Sequence, residues 1–112
     1  MKPDYTYIHD RPVIYRGDTL PPMAVRLEHE DGQKIIPVLV CAQIRSQFGE
    51  VIYDYDVRLE DGRVVLDAIS GSVTAGFPIG KILYDIEYRL ESGDTYTFIR
   101  GSITILEDVS RC

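Results

Sequence analysis

The sequence predicts an all-β fold: a two-sheet antiparallel β-sandwich of about seven strands. Three observations predict it. Residues 80–111 alternate apolar and polar side chains through two runs separated by Glu91-Ser92-Gly93-Asp94, and a period of two puts every second side chain on one sheet face. Short alternating runs recur along the chain with turn signals roughly every 8–12 residues, the spacing of a sandwich. No stretch of about ten residues carries the helical period of 3.6, so helices are incidental.

In chain order, residues 1–12 form a polar arm with Pro3 and Pro12, readable as an edge strand or a loose tail, and residues 13–112 form a single sandwich domain. Val13-Ile14-Tyr15 is a short strand that ends at Arg16-Gly17-Asp18-Thr19. Pro21-Pro22 then bars ladder hydrogen bonds, because neither proline has an N–H to donate. From Met23 to Glu30 the chain sets Met23, Val25 and Leu27 against Arg26 and Glu28, and Asp31-Gly32 marks a tight turn. Val38, Val40, Ala42 and Ile44 form the buried face of the next strand, with Gln43 and Arg45 outward. After Phe48-Gly49-Glu50, one strand over residues 51–58 sets Val51, Tyr53, Tyr55 and Val57 against Ile52, Asp54, Asp56 and Arg58.

A second turn at Asp61-Gly62 leads into Val64 and Leu66. Ser72 to Ala75 can form one helical turn, ended by Gly76 and Pro78. The final hairpin buries Ile82, Tyr84, Ile86, Tyr88 and Leu90 on one strand and Thr97, Ile99, Ile103 and Ile105 on the other. Phe77-Pro78-x-Gly80 followed by Tyr84 has the form of a structural corner in which a tyrosine hydroxyl bonds back to the preceding loop. This favours an immunoglobulin-like topology over a jelly roll. The plainer alternative is that Tyr84 is one more aromatic packed on a sheet.

Composition bounds the function. The length of 112 residues suits one core. Eighteen acidic residues outnumber 12 basic ones, for a net charge of −6, which argues against a nucleic-acid partner. No apolar run approaches the ~20 residues needed to span a bilayer, so no membrane partner is expected. The N-terminus lacks the apolar core of a secretory signal, implying synthesis in the cytoplasm. Cys41 and Cys112 are expected to be free thiols.

Chemistry is sparse. His9 and His29 lie in polar surroundings and are expected to be solvated, with no nucleophile marked beside them. Asp54 and Asp56 project from one strand face with Glu60 and Asp61 close after, the best case for calcium or for paired-acid chemistry. A solvated face in an acidic protein is the favoured reading of them. Arg16-Gly17-Asp18 spells an adhesion tripeptide but more simply ends a strand. Eight tyrosines cannot all be core and slightly favour a binding surface. No catalytic residue and no cofactor follow from these residues.

Three phrases carry a resemblance: Ile14 to Thr19; Gly80-Lys81 with Tyr84 to Glu87; and Gly101 to Ile105 with Asp108 to Arg111. Together they resemble small immunoglobulin-like β-sandwich proteins of bacteriophages and prophages, related to the N-terminal domain of phage baseplate upper proteins. The resemblance spans roughly residues 13–111. It implies a non-enzymatic virion part, in the tail, neck or baseplate, made in the host cytoplasm. Such a part would dock other phage structural proteins and form a homo-oligomer through its arm or an edge strand. The alternative is a small carbohydrate- or calcium-binding sandwich using Asp54 and Asp56. With no fibre or coiled coil after Asp108 to Arg111, a stand-alone module is expected.

Overall fold

The computed structural model describes residues 7–8, 11, 13–29 and 31–107. Their elements are β1 (Tyr7–Ile8), β2 (Ile14–Tyr15), β3 (Met23–Arg26), β4 (Leu39–Arg45), β5 (Val51–Asp54), β6 (Val57–Glu60), β7 (Arg63–Leu66), α1 (Gly71–Thr74), β8 (Gly80–Arg89) and β9 (Thr95–Leu106). They build two sheets. The large one runs β1-β9-β8-β4-β5, with β2 also paired to β9, and the small one runs β3-β7-β6. The neighbours β9, β8 and β4 correspond to strands G, F and C of an immunoglobulin domain, and β3, β7 and β6 to B, E and D. The all-β sandwich expected from the alternation is therefore the fold. It adds one feature: β1 and β2 both pair parallel to β9.

The core lies between the sheets. Ala42, Ile44, Ile82, Tyr84, Ile86, Ile103 and Ile105 from the large sheet meet Val64 and Leu66 from the small one, with Leu20, Leu27 and Ile69 closing the sides. Each such aliphatic side chain stabilises the fold by about 1.5–3 kcal/mol relative to exposure. Tyrosines contribute here too. Tyr53 stands edge-on to Tyr55 with ring centroids 5.3 Å apart, and Tyr88 packs on Tyr96 and Phe98. Among the described residues with assigned burial, Tyr15 alone of the tyrosines is exposed. The tyrosine count thus reflects packing more than a binding surface.

Four local expectations are corrected. The strand expected over 51–58 is two strands: β5 pairs with β4, and β6 pairs with β7 in the other sheet. Buried Tyr55 holds the crossing, its amide donating to the Ala42 carbonyl at 3.0 Å and its hydroxyl accepting from Arg11 Nη1 at 3.1 Å. An unbroken alternation looks the same whether a chain continues in one sheet or crosses to the next. Val51 is exposed because the register shift between Ile44 and Arg45 sets it opposite outward-facing Arg45, and Val38 is exposed just before β4 begins. His29 is buried and not solvated, at a turn where its carbonyl accepts from the Gly32 amide and its own amide donates to the Gln33 carbonyl.

The fourth correction concerns the final hairpin. Ile86 pairs with Ile99 but Glu87 pairs with Thr97, so Phe98 is an extra residue in β9. This bulge puts both Phe98 and Ile99 in the core and leaves Thr97 on the outer side.

The expected helical turn is present as α1, and it is anchored tightly. Thr74 is fully buried; its hydroxyl donates to the Asp18 carbonyl at 2.6 Å and accepts from the Gly17 amide at 3.2 Å. Gly71 permits this approach, since a Cβ there would lie 2.2 Å from the Gly17 carbonyl oxygen. The Arg16-Gly17-Asp18 tripeptide is thus a tight turn, closed by the Asp18 amide on the Tyr15 carbonyl and clamped to α1.

Candidate ligand-binding groove

The residues singled out in the sequence do not converge. Asp54 ends β5, and its Oδ1 accepts from Gln43 Nε2 at 2.5 Å. Asp56 lies past buried Tyr55, where the chain leaves the sheet. Glu60 and Asp61 belong to the small sheet and its turn, and Glu60 pairs with Arg58. No group of three or more potential metal ligands occurs among the described residues. Gly80 opens β8 with φ +110°, and Tyr84 is buried on the inner face of that strand, after the β7–β8 connection where a tyrosine corner belongs. Cys41 is an exposed free thiol on β4. Its pKa is raised by desolvation, then by Glu87, Asp85 and Asp54, with Arg89 opposing, which disfavours the thiolate. His9 and Cys112 lie outside the described residues.

The sheet itself makes a site. Alternation turns Gln43 and Arg45 of β4, Lys81, Leu83, Asp85 and Glu87 of β8, and Arg100 and Ser102 of β9 to the outer side. Register then places them in rows across the strands. One row reads Asp54, Gln43, Asp85, Arg100; the next reads Arg45, Leu83, Ser102; Lys81 and Thr104 follow. Ser102 lies opposite Leu83, and Ser46, Gln47 and Gly49 of the turn after β4 line one side. The result is an open depression of about 500 Å³ bordered by Arg45, Ser46, Gln47, Lys81, Asp85 and Arg100.

Its electrostatics are lopsided. Three cations face it and Asp85 is its one carboxylate, in a chain whose net charge is −6. Among the described residues Lys81 and Arg100 form no ion pair. Arg45 bonds only neutral oxygens: Gln43 Oε1, and the Gly49 carbonyl at 3.3 Å. Asp85 is half-buried, and its carboxyl is pushed above the ordinary range by desolvation first and by Glu87 second, against the pull of Arg45 and Arg100. The sequence reading saw Gln43 and Arg45 as outward residues but not their neighbours. The available signal was parity along β8, where Lys81, Asp85 and Glu87 share a face.

No family model matches the chain, and no curated protein matches it. The fold is similar to the crystal structure of CopC from Methylosinus trichosporium OB3b, with a TM-score of 0.53 and 10% identity over 91% of each chain. At that identity the likeness shows a shared sandwich fold. It also corrects the functional expectation. The matched structure is a CopC and not a phage protein, so a tail, neck or baseplate role is set aside.

Proposed function

We propose that the chain is a non-catalytic binding module that recognises an anionic ligand on the outer face of its large sheet. One observation carries this reading: Arg45, Lys81 and Arg100 face one depression against a single carboxylate, without ion-pair partners among the described residues. Guanidinium groups suit phosphate and carboxylate, because their forked N–H donors match two oxygens at once. Cations without ion-pair partners keep their hydrogen-bond donors available to an anion.

Titration with inorganic phosphate, followed by backbone amide shifts, tests the reading. The expected shifts cluster at residues 45–47, 81–85 and 100–102 and weaken with added salt. The double variant R45Q/R100Q should lose at least about tenfold in affinity, since charge-assisted hydrogen bonds contribute about 1.5–3 kcal/mol each. Diffuse shifts, or shifts indifferent to the double variant, would falsify the proposal.

A further inference from the structure

The one carboxylate that lines the groove is placed differently from the acids elsewhere on the surface. Asp85 lies opposite Gln43 on β4 and opposite Arg100 on β9, and Arg45 is two residues beyond Gln43 on the same outer side. Asp31, Asp54, Glu60, Asp67 and Asp94 are exposed, and each accepts a hydrogen bond from a neighbouring group. Asp85 is half-buried, yet among the described residues its carboxylate accepts no hydrogen bond and has no cation within ion-pair distance. Gln43 beside it donates to Asp54 instead and accepts from Arg45. An ionised carboxylate can only accept, and drawing one partly out of water without a donor is unfavourable. Asp85 is thus an open acceptor in a depression otherwise bordered by the donors of Arg45, Lys81 and Arg100.

Such a set fits a ligand that accepts on most sides and donates on one. Resting on the anion-binding reading, we infer that the groove selects an oxyanion carrying its own proton, hydrogen phosphate being the simplest, and that Asp85 is the residue that selects it. Arg45, Lys81 and Arg100 donate to the charged oxygens, while the ligand O–H donates to the Asp85 carboxylate. Sulfate has the same shape and only acceptors. Against Asp85 it sets like charge on like charge with no hydrogen between them, which is how a site rejects a close analogue. A phosphate monoester dianion is rejected for the same reason, since carbon stands where the proton was.

Inorganic phosphate, sulfate and methyl phosphate, each followed by amide shifts on the full chain in mildly alkaline solution, provide the test. All are then chiefly dianions, and hydrogen phosphate alone keeps an O–H. Phosphate should bind about tenfold tighter than either of the others, the factor that one charge-assisted hydrogen bond supplies. In D85N the side-chain amide can donate to sulfate as well as accept from phosphate, so sulfate should gain and the gap should close. Equal affinity of the parent for phosphate and sulfate overturns the inference and leaves the anion site standing. So does methyl phosphate binding as tightly as phosphate, or a phosphate preference that survives D85N. Binding of none of the three at the groove overturns the anion reading beneath it. The comparison among anions in the parent decides the selectivity without any variant.

Discussion

The outer faces of the two sheets use the same charged side chains to opposite ends. On the small sheet Arg58 is neutralised by Glu60 and by Asp67 at 2.8 Å. The depression on that side balances Arg26, Lys34 and Arg63 against Glu28, Glu60 and Asp61. In the depression on the large sheet three cations line up against one carboxylate, with Glu87 of the same face close enough to raise that carboxylate's pKa. Composition does not distinguish the faces. Register does, because it decides which charges become neighbours across strands. A paired face is inert surface, whereas an unbalanced one is available to a ligand.

The largest effect should come from the bulge that sets up this contrast. Phe98→Ala removes a buried ring packed on Tyr88 and should cost about 3–5 kcal/mol in denaturant unfolding. A loss under about 1 kcal/mol would mean the extra residue of β9 is not held by the core. The groove itself is sharpened by Asp85→Asn, which removes its one lining carboxylate. Sulfate, which keeps its charge over this range, should then bind several-fold tighter at neutral pH.

The same residue predicts a pH dependence. The folded pKa of Asp85 is raised, so the native state holds the proton more tightly than the unfolded chain does. Its contribution to stability therefore falls as pH rises from the ordinary aspartate value of about 3.9 through the raised one. Sulfate affinity should increase as pH falls through that window, when Asp85 loses its charge beside Arg45, Arg100 and Glu87. The asparagine variant should flatten the Asp85 part of both curves. An unchanged profile would place the titration elsewhere. The smallest effect belongs to the paired face: Arg58→Gln should leave anion affinity unaltered and shift the melting midpoint only slightly, since exposed pairs contribute little. A loss of sulfate binding in that variant would erase the distinction between the two faces.

Much of the fold was legible in the chain. Asp61-Gly62 and Glu91 to Asp94 announced their turns, and the left-handed φ values at Asp61, Gly62 and Gly93 bear them out. Alternation placed Ile82, Tyr84, Ile86, Ile103 and Ile105 in the core, where they lie. The candidate site was hardly legible. Counting back from the 91–94 turn without a bulge would set Asp85 opposite Ile99 and turn Arg100 inward. The extra residue Phe98 shifts the count by one and brings Arg100 beside Asp85 on the outer face. Nothing in the local pattern around Phe98-Ile99 marks which of two adjacent apolar residues is surplus.

The sequence by itself determined the class of fold, the main turns and the buried face of β8 and of most of β9. These depend on the two-residue period and on backbone preferences, which act over a few residues. Only the tertiary structure decided that the chain changes sheets at Tyr55, that His29 is enclosed, and that Arg45, Lys81 and Arg100 share one depression. Those outcomes depend on pairings between strands far apart in the chain, and a period within one strand carries no information about its partner's register.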